Sequence, residues 1–246
     1  MTGLLVTAEP RVLADIALEI DPAEVLRFQG YKRDGDLPGA EVHRLFDEAL
    51  ALGRRLMEAR AVVRWLPVTR QEGDLLEAGG AALRIPRVRE SWGAVEYVVA
   101  AVCTIGDRLE RRATELWDAR ELPLASMLDS VGSGAVESLA EYVNDVLCQE
   151  AIALGLPVTN RISPGYGDWD VGEQRVLFGL CPGDAIGVGL NAACFMTPVK
   201  SITLLAGAGR AARVDHYFSQ CARCWMRDCA YRRAPARTTV RRPDRC

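Results

Sequence analysis

The longest helical pattern in the chain runs from residue 124 to residue 154. A helix of that size is roughly 45 Å long at 1.5 Å per residue and needs a broad partner surface to cover its apolar side. Leu128, Val131, Ala135, Leu139, Tyr142, Val143 and Val146 recur at three- and four-residue spacing, which predicts one buried face. Gly132-Ser133-Gly134 interrupts the propensity, at roughly 1 kcal/mol per glycine relative to alanine. A second stripe runs through Ser130, Ser133, Gly134, Glu137, Glu141 and Asn144. It reads either as a solvated face or as a ligand-facing one, because glycines beside Glu137 would let a ligand approach the backbone closely.

The other elements suit that helix. Asp21-Pro22 has the form of a helix start, an N-cap acid followed by proline at the first helical position, and the helix should end near Gln29-Gly30. A second helix is expected over residues 40–60, with Val42, Leu45, Phe46, Ala49, Leu52 and Leu56 on one face. Residues 61–68 and 95–104 read as strands, the second a nearly continuous apolar run bounded by glycines. Weaker strand patterns cover residues 14–20, 82–85, 186–194 and 201–206. Amphipathic helical patterns cover residues 105–120 and 171–180. The expected class is α+β: an antiparallel sheet from the regions near residues 61, 95, 186 and 201, packed by long helices.

Composition narrows the function. With 49% apolar residues, 246 residues can bury a large core. The net charge of -3 argues against nucleic acid as a general partner, although residues 210–246 hold ten arginines against three aspartates, about +7. Residues 1–18 lack a signal-peptide pattern and the longest apolar run is too short for a bilayer, so a soluble, cytoplasmic protein is expected. Cys103, Cys148, Cys181 and Cys194 stand singly among apolar residues and read as buried thiols of a reducing compartment. His43 and His216 are the two histidines, neither beside a nucleophile, so a hydrolytic triad is set aside. Gly-x-Gly-x-x-Ala occurs at residues 187–192 and 207–212, but neither copy has the strand–turn–helix context of a dinucleotide site.

Chemistry concentrates in Arg161-Ile162-Ser163-Pro164-Gly165-Tyr166. Arginine supplies a planar charged fork for a carboxylate or phosphate. Pro164-Gly165 suits a type II turn, with glycine at the position that needs positive φ. The turn presents Tyr166, and Asp168, Trp169 and Asp170 extend a polar and aromatic loop. By spacing alone the stretch is equally a helix connection whose arginine meets a surface acid.

The Arg-x-x-Pro-Gly-Tyr run, preceded by Val136-Glu137-Ser138-Leu139-Ala140-Glu141-Tyr142, resembles the reactivation domain of cobalamin-dependent methionine synthase and its single-domain relatives. The likeness covers roughly residues 95–210, including a Met196-x-Pro198-x-Lys200-Ser201 run before the last strand. It implies a methionine synthase activation-like domain over residues 1–210, with residues 1–60 a helical N-terminal part. It also implies a ligand, S-adenosylmethionine, and a partner, a corrinoid protein or B12-dependent methyltransferase served by a reductase, whose cobalamin is reductively methylated.

On the same likeness Arg161 holds the ligand carboxylate and Glu137 its amino group. Ile162, Ser163 and Gly165 supply close backbone approach, and Tyr166 faces the corrin as the catalytic candidate. Two places depart from the family. Gly167-Asp168-Trp169-Asp170 stands where proline and histidine positions are usual, and an aromatic-serine pair on the last strand is replaced around Leu205-Ala206-Gly207.

Residues 211–246 form a basic, cysteine-rich tail. Cys221-x2-Cys224-x4-Cys229 suits one metal centre, since two thiolates reach it around a tight turn and Cys229 adds a third. The fourth ligand is Cys246, His216 or a group from outside this chain; zinc and an iron-sulfur cluster are both compatible with the donor set, and a metal-free thiol group is the remaining alternative. The alternative function is accordingly an iron-sulfur or zinc accessory protein, passing electrons to a corrinoid methyltransferase without methyl transfer of its own.

Overall fold

A computed structural model describes residues 9–31 and 38–214. In chain order it contains β1 (Arg11–Leu13), α1 (Pro22–Phe28), α2 (Ala40–Leu56), β2 (Arg60–Glu72), β3 (Leu75–Ala78), β4 (Ala81–Arg84), α3 (Val88–Trp92), β5 (Gly93–Ala94) and β6 (Tyr97–Thr104). The second half adds α4 (Arg108–Asp118), α5 (Leu122–Ile152), α6 (Gln174–Leu180), β7 (Gly189–Leu190), β8 (Met196–Thr197), β9 (Ser201–Ala208) and β10 (Ala211–Ala212). Among the described residues no helix is long and apolar enough to cross a membrane.

The main sheet is antiparallel, in the order β4-β3-β2-β6-β9, with β1 also paired to β2. β2 runs opposite β6 from Arg60↔Thr104 to Pro67↔Tyr97, and β6 opposite β9 from Tyr97↔Ala208 to Thr104↔Ser201. All but the first residue of β6 and of β9 are buried, so both faces of these strands are covered and they read as continuous apolar runs. One face carries Ala61, Val63, Val99, Ala101, Ile202 and Leu204 against α1, α2, α4 and α5. The other carries Val62, Val98, Val102 and Leu205 against α3, α6 and the loop that holds Trp169. The sheet is thus the middle of three layers and the fold class is α+β, as the patterns led one to expect.

α5 spans 31 residues without a break at Gly132-Ser133-Gly134. A Cβ on Gly132 would lie 2.7 Å from Leu109 Cδ2 of α4, and one on Gly134 2.9 Å from Val25 Cγ2 of α1. The glycines let neighbouring helices in, which corrects the expectation of a ligand approaching the backbone there. Ser130 is buried and accepts from Gln29 Nε2 at 2.7 Å, whereas Tyr142, expected on the apolar face, is 44% exposed.

Three strand or helix expectations also change. Residues 14–20 are not a strand, because Asp15 adopts φ +56°; the pairing segment is β1. The second helix stops at Leu56 rather than residue 60, since Met57 turns extended and the chain enters β2. Residues 186–194 do not join the sheet. Gly183–Ile186 forms a 3-10 turn, Gly187 has φ +75° and Cys194 φ +63°, and what remains is the two-residue ladder of β7 with β8.

The α1 start matches the sequence: Asp21 accepts from the Ala23 amide at 2.8 Å with Pro22 at the first helical position. The Met196–Ser201 run ties the layers together. Glu110 accepts from the Val199 and Lys200 amides, while Lys200 Nζ lies 2.8 Å from Asp129 Oδ1 and 2.9 Å from Ser133 Oγ.

Candidate functional site

After α5, the chain turns at Gly155 (φ +71°) and runs antiparallel along the outer edge of β9. It makes bridges Val158↔Ala208 and Ile162↔Leu205, so the partner numbers shift by one between them. That bulge flips the alternation of side chains. Val158 belongs to the core under the helices and Ile162 to the core on the far face. Arg161 and Ser163, each one residue from Ile162, are therefore on the helix side in an extended segment.

There Arg161 meets α5. Its Nη2 lies 3.1 Å from Glu137 Oε2, and the two side chains are 21% and 20% exposed. Ser163 is buried and its hydroxyl donates to the Thr203 carbonyl at 2.6 Å. Ile162 exchanges both backbone bonds with Leu205, at 2.9 and 2.8 Å, so its contribution is to register the bend on β9.

The bend has the expected turn chemistry. The Tyr166 amide donates to the Ser163 carbonyl at 3.2 Å across Pro164-Gly165, and Gly165 has φ +87°. The Gly165 amide donates to Trp169 and the Trp169 amide to Tyr166, closing a small loop. Asp170 then caps the next 3-10 turn through the Gly172 amide, at 2.6 Å. Tyr166 is held out at 51% exposure while Trp169 is 5% exposed.

A cleft of about 700 Å³ opens beside this loop, on the far side of the edge segment from Arg161. Tyr166, Trp169, Ile162 and Asn160 line one side, and Arg87 and Trp92 belong to the other. Arg161 and Glu137 are not among its lining residues. The residues singled out in the sequence thus form two neighbouring sites, an ion pair against α5 and a cleft that Tyr166 overhangs.

Trp92 and Asn160 carried no sequence signal beyond an aromatic residue next to Gly93. The Leu205-Ala206-Gly207 departure has a structural counterpart: a Cβ on Gly207 would sit 2.8 Å from Trp92 Cε3, so the indole occupies the space above the last strand. Gly209 likewise lies against the β5–β6 backbone, where a Cβ would be 2.8 Å from the Glu96 amide nitrogen. The Gly-x-Gly pair here is a packing device.

Burial pushes the Cys103 and Cys181 thiols up to about 12 each, partly opposed by Arg161 and Arg64 respectively. Both are free thiols, as are Cys148 and Cys194. Among the described residues no group of three or more His, Cys, Asp or Glu is placed to hold a metal. Cys221, Cys224, Cys229, Cys246 and His216 lie outside the described residues.

No protein-family model matches the chain, and no curated protein matches it. Among solved structures it matches the crystal structure of the MetH reactivation domain bound to AdoHcy, with TM-score 0.65 and 17% identity, over 86% of this chain and 81% of that one. The chain shares the fold of the MetH reactivation domain. At this identity the likeness is one of architecture. On that shared reactivation-domain fold, the Arg161–Glu137 pair joins the segment edging β9 to the long helix, and Tyr166 projects beyond it.

Proposed function

We propose that this protein binds S-adenosylmethionine and docks on a corrinoid protein or B12-dependent methyltransferase to support reductive methylation of its cobalamin. The carrying observation is the meeting of Arg161 with Glu137 at the edge of the sheet. An amino-acid end presents a carboxylate and an ammonium. A guanidinium beside a carboxylate offers each its opposite charge, so the ligand can divide one ion pair into two charge-assisted contacts. The neighbour of the same fold was solved with AdoHcy bound, and AdoHcy lacks only the sulfonium methyl of S-adenosylmethionine.

The ligand supplies an electrophilic methyl, which leaves sulfur for the reduced cobalt as the sulfonium becomes a thioether. The protein's part is positional. The α5–β9 edge fixes the amino-acid end, and the bend holds Tyr166 toward the partner, converting an encounter into a near-attack arrangement. The exposed Tyr166 ring and the φ of Gly165 that aims it support this assignment. The test is to mix the protein with a cob(II)alamin-loaded methyltransferase, a reductant and S-adenosylmethionine and follow methylcobalamin by its visible spectrum. Formation that depends on this chain supports the reading, and equal formation without it rejects it.

The cysteine spacing at residues 221–229 carries a second, compatible role, a metal or iron-sulfur centre that passes electrons to the same partner. Anaerobic purification with metal analysis decides it: a colourless protein holding one zinc per chain rejects electron transfer and leaves a structural staple.

A further inference from the structure

Ile162 and Leu205 exchange both backbone bonds, so the next such pair along the edge of β9 falls at Pro164 and Thr203. Pro164 has no amide hydrogen to give. The Thr203 carbonyl takes its donor from a side chain instead: the Ser163 hydroxyl donates to it at 2.6 Å, with Ser163 4% and Thr203 1% exposed. The hydroxyl stands in for the missing ladder bond where the chain leaves the sheet for the bend.

Thr203 also holds the far end of the same loop. Its side chain shares the sheet face of Leu205, two residues on, which is the face that α6 covers. There its hydroxyl donates to Gln174 Oε1 at 2.8 Å, and Gln174, 5% exposed, is the first residue of α6. Residues 163 and 174 therefore close on one buried residue of β9, and between them lies the small loop that carries Tyr166. The Arg87–Asp168 ion pair, 3.6 Å apart, also ties this loop, but its side chains are 64% and 40% exposed and water screens it. Removing a partner from the buried chain costs more, because it leaves a desolvated acceptor without a donor.

We infer that Thr203 is a positioning residue for Tyr166: its hydrogen bonds to Ser163 on one side and Gln174 on the other pin both ends of the 163–174 loop to β9 and hold the phenol in place before a partner arrives. The pin is independent of any ligand, and its consequence for methyl transfer rests on the proposed function. A preformed loop has less ordering to lose on docking, so the pin acts on partner affinity rather than on the chemical step.

Thr203→Val keeps the volume but removes the hydroxyl donor, Thr203→Ser keeps the donor, and Ser163→Ala removes the other bond. Amide hydrogen exchange of the full chain, followed by NMR, reads the loop through the Gly165, Tyr166 and Trp169 amides and the rest of the fold through Val98 and Val102 of β6. Thr203→Val and Ser163→Ala should each speed exchange in the loop about 5- to 10-fold, the change expected from one lost buried hydrogen bond, and leave β6 unchanged. Thr203→Ser should exchange like the wild type. In the methylcobalamin assay Thr203→Val should raise the KM for the corrinoid partner about 5- to 10-fold with kcat held within about twofold, and Thr203→Ser should restore the wild-type KM. Loop exchange that is unchanged in Thr203→Val, or that speeds equally in β6, overturns the inference; so does a KM that stays at the wild-type value when the loop has loosened. Loop exchange that responds as stated, with no methylcobalamin formed by the wild type, leaves the pin standing and rejects the proposed function.

Discussion

Arg161 and Glu137 stand 24 residues apart in sequence, and Arg161 Nη2 comes to 3.1 Å from Glu137 Oε2. The pair links the end of one topological excursion to its beginning: the chain leaves along α5, turns at Gly155, and returns along the edge of β9 facing the helix it came from. With side-chain exposures of 21% and 20%, it lies between a solvent-screened surface pair and a fully desolvated one. Glu137→Ala is therefore expected to cost about 1–2 kcal/mol, between the limits for exposed and buried pairs. Urea unfolding measures it; a change below about 0.3 kcal/mol would mean that solvent screens the pair almost completely.

The glycines of the long helix give a contrast in sign. Gly132→Ala gains helix propensity, about 1 kcal/mol, but drives a methyl to 2.7 Å from Leu109 Cδ2 in the fully buried α4–α5 contact. Overpacking costs about 1–3 kcal/mol, so the substitution should destabilise on balance. Gly179→Ala lies on the exposed side of α6 with nothing within 4 Å of the new methyl, and should stabilise by up to about 1 kcal/mol. Thermal melts of the two variants should move in opposite directions.

Cys103 and Cys181 set a pH dependence. Their folded-state pKa values are raised by burial from 9.0 to about 12, so the folded protein holds the neutral thiols where the unfolded chain ionises. Their contribution to stability is complete below about pH 9 and declines as pH rises from there toward 12. Urea midpoints measured between pH 7 and 10.5 should fall at the alkaline end, and the fall should shrink in Cys103→Ala when its own loss at pH 7 is subtracted. Iodoacetamide at pH 8 should leave both thiols unmodified in the native protein and label them after unfolding.

Tyr166 should separate stability from function. With half of its surface exposed, Tyr166→Ala is expected to shift unfolding by no more than about 0.5 kcal/mol. In the methylcobalamin assay the same variant should lose most of its turnover while S-adenosylmethionine binding persists. Unchanged turnover would remove Tyr166 from the partner-facing role.

Much of this molecule is readable along the chain. Asp21-Pro22 caps its helix, residues 97–104 form an interior strand, and Ser163-Pro164-Gly165-Tyr166 makes the turn that its residues call for, because each is a local effect of cap, apolar run or φ. What escaped is non-local. Gly132 and Gly134 look like helix interruptions until Leu109 and Val25 are seen filling the space beside them. Residues 186–194 have strand composition, but Gly187 and Cys194 adopt left-handed conformations that end any pairing beyond two residues. The bulge between Val158 and Ile162 decides that Arg161 faces α5 while Asn160 and Ile162 line the cleft, and nothing in the composition of that segment announces it.

The most direct test of the account is calorimetric titration of S-adenosylmethionine into the wild-type chain and Arg161→Ala, each first shown to be folded by circular dichroism. Removing a charge-assisted contact worth about 1.5–3 kcal/mol should weaken binding ~10–100-fold. Wild-type binding at micromolar ligand that Arg161→Ala weakens by that factor is the predicted result. Equal affinity in the two proteins, or no binding to the wild type, would contradict the central claim that this guanidinium holds the amino-acid end of the ligand.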